Sequence, residues 1–161
     1  MATKPKVMIV DDEENVREVI KIIASTFNFE VIAEISNGNE AIDVFREVKP
    51  DILFLDINMP FMYGDEILEE IKNEIEDTCV IMLTAFSDLE NVKKCINLGA
   101  TYFIRKDTSV PKIAGIIKET WQKFNETHKR KPKKYNLDAL IQEIKNDKLL
   151  NKCCEKDNKI G

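Results

Sequence analysis

Short apolar runs alternate with amphipathic segments along the first 125 positions of the chain. Three runs, at 7–10, 52–55 and 80–83, are apolar at every position, which is typical of strands covered on both faces of a parallel sheet. Two less uniform runs, at 29–33 and 102–106, are rich in the β-branched and aromatic residues that favour strands. The pattern therefore predicts five strands.

A segment with apolar residues at helical spacing follows each predicted strand. In the first segment, over 13–26, Val16, Val19, Ile20 and Ile23 recur every three or four positions. The second helix is predicted to begin after a turn at 36–39 and the third after Gly64. The fourth is predicted to run from Asp88 to Gly99, and the fifth from about Val110 to about Asn125. Five alternating strand–helix units predict an α/β fold, a three-layer (βα)5 sandwich with a parallel sheet and right-handed connections.

Four of the predicted strands end in side chains that carry chemistry. Asp11 and Asp12 follow the first strand, Asp56 the third, Thr84 the fourth, and Lys106 the fifth. Because the carboxyl ends of parallel strands open on one edge of the sheet, we expect these side chains to converge on one pocket. Mg²⁺ would relieve the repulsion among three carboxylates, and a carboxylate can act as a nucleophile toward a phosphoryl group. The pattern predicts a pocket for a divalent cation and a phosphoryl group.

The charge of the chain is unevenly distributed. The 161 residues carry a net charge of −5, but positions 1–127 hold 14 basic and 24 acidic residues, whereas positions 128–161 hold 10 basic and 5 acidic ones. A basic run at 128–134, interrupted by Pro132, predicts a linker, and an apolar stripe predicts a short helix at 137–150. We therefore predict one domain over 1–127 and a basic linker with a short helical tail over 128–161.

Composition limits the class of protein further. Hydrophobic residues make up 43% of the chain, enough for a core. No apolar run approaches the roughly 20 residues of a membrane helix, and the start lacks the apolar core of a signal peptide, so we predict no membrane span and a cytoplasmic location. Cys79 and Cys95 are predicted to be buried thiols, and Cys153 and Cys154 free thiols.

The motifs at the predicted strand ends are shared with one known family. They are Val-Asp-Asp-Glu at 10–13, Leu-Asp-Ile-Asn-Met-Pro at 55–60 with Gly64, Leu-Thr-Ala at 83–85, Gly-Ala at 99–100, and Phe103 three residues before Lys106. In this order they resemble the receiver domain of response regulators of two-component signalling, over residues 5–125. The resemblance implies a flavodoxin-like fold with strand order 2-1-3-4-5. It also implies a signalling domain rather than an enzyme, with at most self-phosphorylation and self-dephosphorylation activity.

The resemblance also assigns roles within the pocket. Asp56 would accept a phosphoryl group from a histidine kinase, a phosphotransfer protein or a small acyl phosphate. Mg²⁺, with Mn²⁺ as an alternative, would be bound by Asp11, Asp12, Asp56 and the backbone carbonyl of Asn58, with Asp11 acting mainly through a water. Lys106 would pair with Asp56 and then with the phosphoryl group.

A conformational switch is implied as well. Thr84 would move toward the phosphoryl oxygen, and Phe103 would turn inward to fill the space that Thr84 leaves. The response regulator would thereby reshape the face of its fourth helix, fifth strand and fifth helix, roughly 88–124, and bind a downstream protein in a phosphorelay. Two positions are unusual: Asp107 stands where many family members have proline, and bulky Phe86 is expected to slow access of water to the phosphoryl group.

Several alternatives stay open at this point. One is a nucleic-acid-binding regulator acting through the basic tail, although nucleic acid is the less favoured partner because five basic charges give salt-sensitive, non-specific affinity. Another is a phosphatase with an Asp nucleophile, whose usual Asp-x-Asp motif is absent because Asn58 occupies its second position. The C-terminal helix could cover the switching face or mediate a homodimer. Glu13 and Glu14 are interpreted as charges that complement a helix dipole, and His128 as a solvated side chain.

Overall fold

A computed structural model describes residues 3–85 and 89–130 of the chain. Within these residues five strands and five helices alternate: β1 (Lys6–Val10), α1 (Glu14–Thr26), β2 (Glu30–Ile35), α2 (Gly38–Val48), β3 (Ile52–Asp56), α3 (Gly64–Ile71), β4 (Cys79–Thr84), α4 (Leu89–Asn97), β5 (Tyr102–Arg105) and α5 (Val110–Arg130). The strands form one parallel sheet in the order β2-β1-β3-β4-β5. The predicted (βα)5 fold and its strand order are confirmed.

Two apolar cores lie on opposite faces of this sheet. Successive residues of β1 face opposite sides, and Met8 belongs to the core that packs against α2, α3 and α4. Its neighbour Ile9 belongs to the core that packs against α1 and α5. All positions of β3 and β4 are buried, as expected for strands covered on both faces. The predicted three-layer arrangement is confirmed.

Two turns follow the chemistry expected from the sequence. The Asn37 side chain accepts a hydrogen bond of 2.7 Å from the Asn39 backbone N–H and so caps the start of α2. Gly99 follows α4 with a φ of 109°, in the left-handed region that a glycine adopts without a Cβ clash. The predicted starts and ends at these positions are confirmed.

Two elements differ from their predicted bounds. Strand β2 continues to Ile35, two residues beyond the expected end. The reason is its pairing with β1, in which Ile35 is the partner of Val10. Helix α5 continues to Arg130 instead of ending at Asn125. The first residues of the predicted basic linker are therefore helical.

His128 is not a solvated side chain, and that interpretation was wrong. Its ring is half-buried and stacks on Phe124, one helical turn earlier, with the ring centroids 3.7 Å apart. Its Nδ1 lies 2.8 Å from the Phe124 carbonyl oxygen, and its Nε2 lies 2.7 Å from the carbonyl oxygen of Glu76. These contacts hold the last part of α5 against the segment before β4. Helical spacing alone could not reveal a partner so distant in sequence.

Cys79 and Cys95 are buried thiols, as predicted. The predictions for Phe86, for Asp88 as a helix cap, and for the tail from position 131 onward, including Cys153 and Cys154, lie outside the described residues.

The contacts of the chain divide it into two units, with the division between His128 and Lys129. The separate roles predicted for 1–127 and 128–161 stay a prediction. None of the helices described for residues 3–85 and 89–130 is both long enough and apolar enough to cross a membrane.

Candidate functional site

The polar strand ends of the sequence lie together at one edge of the sheet. Backbone hydrogen bonds extend the strand pairing just past the ends of β1, β3 and β5. Asp11 N–H donates to the Ile35 carbonyl (3.0 Å), Ile57 N–H to Leu83 (3.0 Å) and Lys106 N–H to Thr84 (2.8 Å). These bonds fix where the side chains of Asp11, Asp56 and Lys106 leave the backbone.

Three carboxylates form an acidic cluster at this edge. One oxygen from each of Asp11, Asp12 and Asp56 lies within 4.8 Å of the other two. Asp11 and Asp56 are almost completely buried, whereas Asp12 is exposed. The spacing of the three oxygens is compatible with a divalent cation, which binds carboxylates. Because Asp12 is exposed, the site is also open to solvent, so such a cation could keep some of its waters.

The Lys106 ammonium lies among these acids. Its Nζ is 2.9 Å from Asp11 Oδ2, 3.0 Å from Asp56 Oδ2 and 2.7 Å from Glu13 Oε1. Its hydrogen bonds are directed at the other Asp11 oxygen (3.2 Å) and at Glu13. The Oδ2 atoms of Asp11 and Asp56 are buried and lie at ion-pair distance from the ammonium, although its hydrogen bonds are directed elsewhere. A single ammonium thus serves several carboxylates, which leaves the site able to accept a further cation.

Burial and crowding change the ionisation of these acids. Burial, followed by repulsion from Asp11, raises the pKa of Asp56 from 3.8 to about 7 although Lys106 opposes the shift. Burial also raises the pKa of Asp11. For Lys106, burial favours the neutral form, but hydrogen bonds to Glu13 and Asp11 outweigh it and raise the pKa, so the ammonium stays charged. One ammonium does not compensate the carboxylates around it, which leaves a site that favours an added cation.

The loop between β3 and α3 is packed tightly against the end of β3. Gly64 N–H donates to the Ile57 carbonyl oxygen at 2.8 Å, and a Cβ on Gly64 would lie only 2.1 Å from the Asp56 carbonyl oxygen. A side chain at this position is therefore excluded. The Asn58 N–H donates to Asp56 Oδ1 at 3.1 Å, so the loop orients the carboxylate as well as the backbone.

Thr84 lies on β4, which is next to β3, and Phe103 lies on β5, the strand beyond it. Thr84 is buried at the end of β4, and its hydroxyl donates to the Ala85 carbonyl oxygen at 2.9 Å. Phe103 pairs in register with Met82 on the neighbouring strand. It is half-buried against the core under α2, α3 and α4, and its ring stacks on Tyr102 with the centroids 5.5 Å apart. Because side chains two positions apart share a face, Thr84 and Phe103 lie on the same face of the sheet.

Glu13 is a site residue that the sequence interpretation missed. We expected a helix-dipole charge, but Glu13 is the residue before α1, and its carboxylate forms the shortest of the three ion pairs to Lys106. Its backbone N–H also donates to Asp11 Oδ1 at 2.8 Å. The position of Glu13 directly after two strand-end acids was the available signal.

Comparison with known proteins identifies the same region. The family model of the response regulator receiver domain matches residues 7–118. The response regulator protein VraR of Staphylococcus epidermidis is 36% identical over 118 residues, which cover 73% of this chain and 56% of that protein. The probable transcriptional regulator ycf27 of Guillardia theta is 33% identical and is covered over 48% of its length. The chain thus spans about half the length of these curated relatives.

Solved structures agree with the sequence comparison. The receiver domain of the response regulator AraT from Geobacillus stearothermophilus matches with a TM-score of 0.70 and 26% identity, covering 78% of this chain and 99% of that one. A CheX–CheY complex with BeF3 and Mg²⁺ from Borrelia burgdorferi includes a chain that matches with a TM-score of 0.66 and 30% identity, covering 72% and 88%. Receiver domains of this kind are signalling domains of two-component systems. The family match covers most of the chain and includes the acidic cluster and Lys106, and this chain belongs to the response regulator receiver domain family.

Proposed function

We propose that this chain is a phosphoacceptor: Asp56 takes a phosphoryl group in a Mg²⁺-dependent reaction, from a histidine kinase or a phosphotransfer protein. The observation that carries the proposal is the position of the Asp56 carboxylate. It lies within reach of two other acids on one side and 3.0 Å from the Lys106 ammonium on the other. A nucleophile, a cation site and a fixed positive charge thus share one pocket.

The donor set fits a magnesium ion. Asp11, Asp12 and Asp56 would hold it, with Asn58 contributing its backbone carbonyl. The ion would neutralise the carboxylates and supply positive charge toward the phosphoryl oxygens. The shortage of positive charge at the site supports this assignment, because the single ammonium of Lys106 pairs with Asp11, Glu13 and Asp56, and the acidic cluster adds Asp12.

The residues of the chain divide the chemistry among them. An ionised Asp56 oxygen attacks phosphorus, the new O–P bond forms, and the bond from phosphorus to the donor breaks with its electron pair leaving on the donor atom. Lys106 stabilises the negative charge on the transferred group. Burial of Asp56 limits the water that competes for phosphorus. Hydrolysis of the resulting acyl phosphate returns the free carboxylate, which gives the domain its self-dephosphorylation.

The output would be a change in a protein-binding surface. Thr84 would turn from the Ala85 carbonyl toward the new phosphoryl oxygen, and Phe103 would move into the space beside it. Three exposed apolar side chains lie on α4 and β5, on the face that this motion would reach: Leu89, Ile96 and Tyr102. We propose that this face binds a downstream protein, or a second copy of the chain, in the cytoplasm. The alternative of a nucleic-acid-binding regulator rests on the basic tail, and no described residue favours it.

Intact mass spectrometry tests the acceptor directly. The protein is incubated with Mg²⁺ and a small acyl phosphate, and we expect one phosphoryl adduct that is stable in acid and labile to hydroxylamine. Asp56→Asn should abolish the adduct, whereas Asp43→Asn, which neutralises an exposed acid on α2, should leave it unchanged. An adduct of equal yield on Asp56→Asn, or none on the wild type, would overturn the proposal.

A further inference from the structure

We infer that Glu13 is a positioning residue that competes with the phosphoryl group for the Lys106 ammonium. This inference rests on the proposed phosphoacceptor function and adds a restraint to it. Glu13 makes the shortest ion pair to Lys106, at 2.7 Å, against 2.9 Å for Asp11 and 3.0 Å for Asp56.

The position of Glu13 is fixed by its backbone and its side chain remains accessible. Its N–H donates to Asp11 Oδ1 at 2.8 Å, which ties the residue to the acidic cluster. Its side chain is 50% exposed, whereas that of Lys106 is only 13% exposed. Glu13 is therefore the solvent-exposed partner of the ammonium, whereas Asp56 is a buried one.

Glu13 also differs from the other acids around Lys106 in its relation to a cation. Only Asp11, Asp12 and Asp56 form the described group whose carboxylate oxygens lie close enough together to share a metal ion. A cation held there takes up much of the negative charge of Asp11 and Asp56. Glu13, outside the group, keeps its full charge, and its attraction for Lys106 becomes relatively larger.

A phosphoryl group on Asp56 would bring further negative charge beside Lys106 and so compete with its existing partners. An ammonium has three N–H donors, and in this structure three carboxylates surround it. Glu13 is the one whose charge can be returned to water most easily, because it is half exposed. The strength of the Glu13–Lys106 pair thus sets how firmly Lys106 can bind the phosphoryl group.

The test uses beryllofluoride, a phosphoryl analogue, titrated into the full chain at saturating Mg²⁺ and followed by ¹⁹F NMR. We expect Glu13→Gln to bind beryllofluoride about two- to five-fold more tightly than the wild type, the range set by the energy of a partly exposed ion pair. The matched control is Glu14→Gln: Glu14 is exposed on the first turn of α1, and no described contact joins it to Lys106. It removes the same charge from the same region and should leave the affinity unchanged.

Salt provides a second readout that a purely structural role of Glu13 would not affect. Raising KCl from about 50 mM to about 500 mM screens a half-exposed ion pair, so the difference in affinity between Glu13→Gln and Glu14→Gln should shrink. Equal affinities of the two variants, weaker binding by Glu13→Gln, or a difference that does not respond to salt would each overturn the inference. Failure of the wild type to bind beryllofluoride in Mg²⁺ would instead overturn the proposed function on which the inference rests.

Discussion

The two ends of the sheet carry carboxylate–cation pairs of opposite character. At the edge before β3 and β4, Arg46 donates two hydrogen bonds to Glu74 Oε1, at 3.1 and 2.9 Å, on an exposed surface. At the other edge Lys106 lies 3.0 Å from Asp56 in a buried pocket. The hydrogen bond from Arg46 lowers the pKa of Glu74, whereas burial and the charge of Asp11 raise the pKa of Asp56 to about 7.

The difference shows that a short ion-pair distance does not determine whether the paired charges stabilise the fold. Arg46 also lies 3.6 Å from Glu70, but it and both of its acidic partners are exposed and remain hydrated. The pocket at the other edge places several carboxylates around one ammonium and removes their water, so ionisation of Asp56 opposes folding until a cation arrives. One end of the sheet stabilises the fold, and the other holds unfavourable charge that a ligand can relieve.

The largest expected effect comes from backbone packing at the acidic edge. Gly64→Ala would place a Cβ 2.1 Å from the Asp56 carbonyl oxygen, and we expect a loss of about 3 kcal/mol in unfolding free energy together with weaker Mg²⁺ binding. Urea denaturation and calorimetric titration measure the two effects. Gly115→Ala is the matched control, because nothing lies within 4 Å of the added methyl. It should be neutral or stabilising by up to about 1 kcal/mol, and equal behaviour of the two variants would contradict the packing argument.

Removing a carboxylate should have opposite signs at the two ends. The folded pKa of Asp56, about 7, exceeds its ordinary value of 3.8, so folded protein retains a proton that the unfolded chain has released. Its ionisation therefore lowers stability as pH rises through this window, and the loss is complete above it. At about pH 8 without Mg²⁺, Asp56→Asn should stabilise the protein by about 2 kcal/mol, and the gain should disappear toward about pH 4.

Glu74→Gln is the counterpart of that change. Because the pKa of Glu74 is lowered by Arg46, its charge stabilises the fold above its ordinary value of 4.5 and this contribution is lost as pH falls through the folded pKa. We expect Glu74→Gln to lower the melting temperature slightly at neutral pH. Thermal unfolding of both variants across the pH range checks the signs, and stabilisation by Glu74→Gln would contradict the contrast.

Mg²⁺ affinity should follow the protonation of the acidic edge. Below about pH 7 the metal must displace the proton of Asp56, so affinity should fall by up to about tenfold for each pH unit and level off above pH 7. Calorimetric titrations at several pH values measure this dependence. Glu74→Gln should reproduce the wild-type curve, and a pH-independent affinity would show that Asp56 ionisation does not control the site.

A small effect is also expected at the far end of α5. His128→Ala removes the contact with the Glu76 carbonyl and the stacking on Phe124, and we expect a loss of about 1 kcal/mol with unchanged Mg²⁺ affinity. Lys129→Ala, an exposed neighbour, serves as the control in chemical denaturation. A change in Mg²⁺ affinity in His128→Ala would show that the two ends of the sheet are coupled.

Features with a local signature were predictable from the sequence. Continuous apolar runs located β1, β3 and β4, and the run at 102–106 located β5. The strand ends placed Asp11, Asp56, Thr84 and Lys106 at one edge, because the carboxyl ends of parallel strands share an edge whatever their separation in sequence. The structure brings these side chains together with Asp12. The roles assigned to them, and to Thr84 and Phe103, remain predictions.

Features that depend on distant partners were not predictable. The contacts of Glu13 with Lys106 and of His128 with Glu76 join positions far apart in the chain, and no spacing rule connects such positions. The extension of β2 to Ile35 depends on its pairing with β1. Burial in the assembled fold, which shifts the pKa of Asp56, likewise has no local pattern.

The place of β3 in the middle of the sheet has a consequence for how long a signal lasts. β3 has a hydrogen-bonded strand on each side, so its backbone is exposed only when the whole sheet opens, the rarest of a domain's fluctuations. Water could then reach the acyl phosphate proposed on this strand only through the open edge. Its decay rate would be set by the few side chains that line the entrance, and those can diverge between relatives while the framework stays the same.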